Sequence, residues 1–261
     1  DIDKMDYLAR DSLHAGVPYG RQFDQGRLIN SLTLDEAGTG LAITDKGRTA
    51  AEMMVFARYV MFSEVYWHHA VRSATAMLQR AFYLQHGQLD LDSLFRMTDQ
   101  TMVQAMQTSA DGAAKELLDG LFGSHRALYK RLDQYSIHEN NELYQQLARR
   151  PYPWLVACAE SLARRLSTEL RRRIAPHEVL FDAPPVKLEV QFRVDVHFTR
   201  ENTYRALGDV SPVVRTLAEK QFDDYVKRVR IFVAPGLWRE LDHYDGVNEL
   251  VRQAIAEVDA P

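Results

Sequence analysis

Four residues near the start of the chain, Asp3, Lys4, Tyr7 and Asp11, are of the types that handle cations, phosphates and sugars, and one helix can present them together. At about 3.6 residues per turn, Asp3, Tyr7 and Asp11 fall at i, i+4 and i+8 on a single stripe, with Lys4 at its edge. His14 lies one turn beyond Arg10 and Asp11. A stripe of carboxylates, an ammonium and a phenol cannot pack as an apolar seam. It either meets a polar ligand or lies in solvent with intrahelical pairs such as Lys4 with Asp11 or Asp6 with Arg10, the usual fate of a charge run. A second set follows, where Arg58, Phe62 and Tyr66 repeat at i, i+4 and i+8, with His68 and His69 beyond them. An arginine fork can grip a phosphate while a neighbouring ring packs on a sugar or base. The structural explanation of the same residues is Arg58 paired with a surface carboxylate, Tyr66 and Trp67 in the core, and a packed or capping histidine.

Helices must carry both sets. The first is expected to end near Gly16, where Gly16, Pro18 and Gly20 punctuate the chain. A short segment over 25–30 leads into alternating residues near 32–34 and 41–43, and the glycines within 35–40 predict a hairpin of two short strands. Residues 46–85 contain no proline and place apolar residues at helical spacing. An unbroken helix there would span about 60 Å, so a break is predicted near 67–69. Shorter helices are predicted over 92–97, 100–109, 113–121 and 124–132, and a longer one over about 155–173 after Pro151 and Pro153. Residues 178–185 read as extended, 187–198 alternate as a strand with one wet face, 226–233 form a further strand, and 247–258 a terminal amphipathic helix. The predicted fold is mainly α, a helical core over 1–175 followed by a smaller α+β subdomain over 176–261.

Several features read as structural. Arg164, Arg165 and Arg171 to Arg173 make a basic helical end suited to the C-terminal dipole, and Trp154 and Trp238 are expected core anchors after prolines. The group Arg215, Lys220, Lys227, Arg228 and Arg230 is expected to be solvated, with a subunit interface or effector site as the alternative.

Composition removes some function classes. With 46% hydrophobic and 26% charged residues, the chain has enough apolar material for a sizeable core. A formal net charge of -4 supplies no global pull toward nucleic acid or anionic membrane. The single cysteine, Cys158, rules out an internal disulfide and a Cys-x-x-Cys metal site, and fits a reducing cytoplasm. No apolar run approaches the roughly 20 residues of a membrane span.

The eleven residues Asp1-Ile2-Asp3-Lys4-Met5-Asp6-Tyr7-Leu8-Ala9-Arg10-Asp11 strongly resemble the closing signature of the HD-domain deoxynucleoside triphosphate triphosphohydrolases. Ala57-Arg58-Tyr59-Val60-Met61-Phe62 and Val65-Tyr66-Trp67-His68 resemble that family's nucleotide-gripping helix, and Asp182-Ala183-Pro184-Pro185 with the strand over 226–233 resembles its C-terminal region. The resemblance is most specific at the N-terminus and weaker after His86. It implies an HD-domain-like helical core in which Asp3 is the last metal ligand of an H…HD…D set. Lys4 and Arg58 would contact phosphates, Tyr7 and Tyr66 would wall the deoxyribose and exclude a 2′-hydroxyl, and Asp11 would accept from the 3′-hydroxyl. His68 would sit between active and regulatory sites, and Arg27 and Lys46 would belong to an allosteric nucleotide site.

Departures accompany the matches. No His-Asp dipeptide occurs in the sequence, Phe62 stands where animal members of that family have a histidine, His69 replaces a lysine, and Thr44 replaces an arginine of the allosteric set. Because the sequence opens inside what reads as the first turn of a helix, the remaining metal ligands are expected upstream. These 261 residues alone should then bind metal weakly and hydrolyse dNTPs poorly.

The implied chemistry is metal-assisted attack of water on the α-phosphorus of a dNTP, releasing a deoxynucleoside and triphosphate, with Mg, Mn, Fe or Zn as the divalent ion. The implied assembly is a cytoplasmic homo-oligomer without a membrane partner. The alternatives are an HD hydrolase of another phosphoester, and a nucleotide-sensing or nucleic-acid-binding regulator with a degenerate HD centre.

Overall fold

The computed structural model describes residues 2–185, 194–217, 226–241 and 244–260. Its strands are β1 (Leu32–Leu34), β2 (Leu41–Thr44), β3 (Lys130–Tyr135), β4 (Val179–Asp182), β5 (Asp195–Phe198), β6 (Thr203–Ala206) and β7 (Val229–Val233). The main helices in chain order are α1 (Ile2–Ala15), α2 (Gln25–Asn30), α3 (Arg48–Met61), α4 (His69–Gln85), α5 (Leu91–Leu94), α6 (Asp99–Ser109), α7 (Gly112–Phe122), α8 (Asn141–Leu147), α9 (Tyr152–Glu169), α10 (Leu207–Val210), α11 (Pro212–Thr216), α12 (Pro235–Leu241) and α13 (Val247–Val258). Helix dominates and the sheets are small, so the mainly α class with a lesser α+β part holds.

The chain divides into two compact units, Asp1–His68 with Lys187–Lys227, and His69–Val186 with Arg228–Pro261. This division differs from a boundary at 175/176. The reason is strand pairing: β5 joins the N-terminal hairpin while β7 joins β3 and β4, so each sheet draws on distant sequence.

In the first unit α1 buries Met5, Leu8 and Ser12, the inner side of the helix, and leaves Asp3 outside. It ends at Gly16, whose φ of +69° suits a residue without Cβ. Gly20 then passes so close that a Cβ there would stand 2.0 Å from the Leu8 carbonyl oxygen. Fully buried Ser12 locks this return, since its Oγ donates to the Val17 carbonyl and accepts the Gly20 N–H at 3.2 Å. The predicted hairpin is present, β1 antiparallel to β2 with Leu32 opposite Ile43. β2 pairs in parallel with β5, and β5 is antiparallel to β6. Met5, Leu28, Ile43, Val55, Val196 and Val214 share one core, each fully buried aliphatic contributing roughly 1.5–3 kcal/mol.

The predicted break in the long helix is also present. α3 passes into a π-helical turn over Phe62–Tyr66, where the Trp67 N–H reaches back five residues to the Phe62 carbonyl at 2.8 Å, and α4 starts afresh at His69.

In the second unit β7 lies between β3 and β4, and all its residues are buried. The period-two alternation of a strand explains how: Val229, Ile231 and Val233 pack with Phe181 against α9 and α13, while Phe232 and Leu180 pack on the other face with Met77 and Leu117 of α4 and α7.

Some expectations are corrected. Residues 124–132 are not a helix: 130–135 form β3, because pairing with β7 and complete burial of Tyr135 override an ambiguous local pattern. α8 had no counterpart among the predicted elements. α9 runs from Tyr152 to Glu169 rather than 155–173, and Arg171, at φ 51°, turns away, so Arg171 to Arg173 lie beyond the helix. Of the basic group expected in solvent, Lys227 and Arg230 are buried; Lys220 lies outside the described residues, as do 187–193 of the predicted strand.

Candidate functional site

Two segments of the first unit converge. α1 brings Tyr7 and Asp11 to the π turn that carries Tyr66. The Tyr66 hydroxyl donates to Asp11 Oδ2 at 2.7 Å, across 55 residues of sequence, and the Tyr7 and Tyr66 rings meet edge to face with centroids 6.3 Å apart. Phe62 continues the stack, its ring 5.0 Å from that of Tyr66 at a steep angle, and the guanidinium carbon of Arg58 lies 5.3 Å from the Phe62 centroid. A row Arg58–Phe62–Tyr66–Asp11 results, with Tyr7 beside it. The π turn matters here because it inserts one residue into the helical ladder at this point, and such turns recur where side chains must be re-aimed.

The electrostatics follow from burial. Arg58 is 5% exposed, so its charge sits in a low-dielectric setting, whereas 32% of the Asp11 side chain remains accessible. Burial first, and then the hydrogen bond to Asp11 and its charge, push the Tyr66 phenol above its ordinary value of 10, so at neutral pH it is a fixed donor. Asp11 Oδ1 lies 3.8 Å from Arg10 Nη1, while Arg10 Nη2 bonds Asp6 at 2.9 Å. The solvated Asp6–Arg10 pair is thus real, and it coexists with the inward contact of Asp11. The arrangement offers one carboxylate already accepting a phenol hydrogen bond, still open to a second donor, next to an aromatic wall.

The other predicted residues are placed as follows. Asp3 is exposed and Lys4 half-buried on α1, toward its N-terminal end from Tyr7. His68 is exposed just after the π turn, its N–H donating to the Val65 carbonyl at 3.2 Å. Arg27 and Lys46 come together: Arg27 Nε donates to the Lys46 carbonyl at 2.9 Å, and both line an open groove of about 590 Å³ with Asp24, Asn30 and Thr44. A divalent cation needs several oxygen or nitrogen ligands. Among the described residues no group of three or more His, Cys, Asp or Glu could hold one, so Asp3 and its neighbours do not by themselves make up a metal site. Phe62, which sequence comparison marks only as a departure, is the residue that joins Arg58 to Tyr66. Its i, i+4 spacing to both was the available signal.

The HD associated region family model matches residues 23–236, and the chain belongs to that family. The uncharacterized protein MJ1154 of Methanocaldococcus jannaschii is 28% identical over 267 residues, covering 99% of this chain and 54% of that protein. The crystal structure of a hypothetical protein from Aquifex aeolicus superimposes with a TM-score of 0.61 at 25% identity, over 92% of this chain and 55% of that one. The deoxynucleoside triphosphate triphosphohydrolase SAMHD1 of Gallus gallus is 24% identical over 164 residues, 55% of this chain and 26% of its own length. The chain therefore spans about half the length of MJ1154 and of the Aquifex aeolicus protein.

Proposed function

We propose that these residues are the substrate-gripping part of a metal-dependent HD-domain phosphohydrolase that converts a dNTP and water to a deoxynucleoside and triphosphate. The observation that carries this reading is the 2.7 Å bond from Tyr66 to Asp11, flanked by Tyr7, because it joins the two segments that the family resemblance assigns to one sugar pocket. Asp11 accepts the sugar 3′-hydroxyl with its remaining lone pairs. Tyr7 and Tyr66 form a wall that leaves no room for a 2′-hydroxyl, while Arg58, anchored over Phe62, and Lys4 hold the phosphates, with His68 at the pocket's outer edge. Asp3 contributes a single carboxylate to a divalent ion whose other ligands belong to a part of the longer protein outside these residues. When bound, that ion supplies Lewis acidity and a lowered water pKa. Arg27 and Lys46 bind an effector nucleotide in the open groove, and the enzyme works as a homo-oligomer.

The test is a panel of dNTPs and NTPs with Mg, Mn, Fe and Zn, using full-length protein. Turnover of dNTPs with little of NTPs is expected, together with loss of activity in Asp3→Ala and relaxed sugar discrimination in Tyr7→Ala. Equal rates on ribose and deoxyribose triphosphates by the unaltered protein would overturn the sugar-wall assignment.

A further inference from the structure

In the second unit, beside α4, one end of the three-stranded sheet carries more positive than negative charge. Strand pairing puts Asp182 and Gln134 on either side of Arg230, so the three share a face. Leu180 and Phe232, opposite one another further along, take the same face into the core with Ala76 and Met77 of α4. Arg72, nearer the start of α4, reaches Asp182 with its whole fork: Nε donates to Oδ2 at 2.9 Å and Nη2 donates to Oδ1. Both oxygens of that carboxylate, which is 1% exposed, are therefore engaged. Arg230 is 6% exposed, and its Nε and Nη1 have no hydrogen-bond partner among the described residues. Arg228 is half-buried and Arg131 exposed, the latter donating from Nη1 to Gln134 Oε1 at 3.1 Å. Burial draws the Arg230 guanidinium down to about 10; Asp182 opposes this, while repulsion from Arg228, Arg131 and Arg72 adds to it. Four guanidiniums thus act around one carboxylate, and the most buried of them keeps donors unused.

We propose that this cluster binds a phosphoryl anion, with Arg230 as its buried donor and Arg228 and Arg131 toward solvent. A buried charge with unmet donors calls for an acceptor carrying countercharge. A tetrahedral phosphate dianion offers several oxygens to planar guanidinium forks and matches them better than a single carboxylate does. Asp182 fixes Arg72 and limits the excess charge. Such a group is available as orthophosphate, as inorganic triphosphate or as the phosphate tail of a nucleotide. The cluster belongs to the second unit, whereas Lys4 and Arg58 belong to the first, and the proposal does not depend on the sugar-pocket assignment.

The experiment is calorimetric and thermal-shift titration of the full chain with orthophosphate, triphosphate and a nucleoside triphosphate at constant ionic strength. It is repeated in Arg230→Met, Arg131→Ala and, to remove the other phosphate contact, Lys4→Ala. Saturable binding by at least one of the three ligands is expected, weakened about tenfold or more in Arg230→Met and less in Arg131→Ala, with the same Arg230-dependent loss persisting in the Lys4→Ala background. The ligand with the greatest Arg230-dependent loss identifies the source of the phosphoryl group. Arg131 is exposed, so its variant reports on the site even where Arg230→Met unfolds the chain. Absence of saturable binding by all three, or equal affinity in the unaltered chain and both arginine variants, overturns the proposal.

Discussion

Replacing Tyr66 by Phe deletes one hydroxyl and leaves the ring contacts with Tyr7 and Phe62 in place. A hydrogen bond to a charged acceptor contributes roughly 1.5–3 kcal/mol when shielded. Here 32% of the Asp11 side chain is accessible, water can take over the vacant acceptor, and the expected loss is about 1 kcal/mol. Urea unfolding at neutral pH reads it, and a cycle with Asp11→Asn should give a coupling energy of about 1 kcal/mol because the two side chains touch. A second signature comes from alkali. The folded-state phenol pKa is raised above 10, so the unfolded chain ionises first and the unaltered protein loses stability as pH rises beyond 10. The slope is at most about 1.4 kcal/mol per pH unit and smaller here, because the ring is only half-buried. Tyr66→Phe lacks that liability, so its penalty should shrink above pH 10. A coupling energy within about 0.3 kcal/mol of zero, or a penalty that stays constant from neutral pH into strong alkali, refutes the contact and with it the joining of α1 to the π turn.

Two further outcomes follow from packing and charge. Gly20→Ala should destabilise the first unit by about 2–3 kcal/mol, because its Cβ would collide with the Leu8 backbone rather than with a movable side chain; hydrogen exchange of α1 amides measures it, and unchanged protection contradicts it. Glu257 on α13 accepts from Ser161 at 2.7 Å and from Arg164 and Arg165 of α9, which hold its carboxyl below the ordinary 4.5. Its contribution is complete above pH 4.5 and lost as pH falls below that value, so the melting temperatures of the unaltered chain and Glu257→Gln should converge in acid; a constant gap from neutral pH to well below 4.5 counts against this pairing.

Much of the local structure was legible because its signals are local. Gly16 ends α1, two glycines mark the hairpin, and the run without proline from 46 to 85 breaks where expected. The candidate site was legible in part. Spacing alone puts Asp3, Tyr7 and Asp11 on one stripe and Arg58, Phe62 and Tyr66 on another, but spacing says nothing about whether the stripes meet. Phe62 shows the limit: only the folded π turn reveals that one ring contacts Arg58 and Tyr66 together. The strand over 130–135 was hidden for a similar reason, since Lys130 to Tyr135 becomes extended by pairing with β7, almost a hundred residues away.

The sequence by itself determined which residue types lie on each helix face and some of the helix ends, such as the stop of α1 at Gly16, because helical periodicity and turn chemistry act over a few residues. Tertiary structure decided the rest. It turned the outward-looking Asp11 into the acceptor of Tyr66, drew β5 and β7 into different sheets, and buried Arg230 where a solvated charge was expected. Those outcomes depend on strand pairing and on the removal of charges from water, and both are settled only when segments far apart in the chain compete for the same interior.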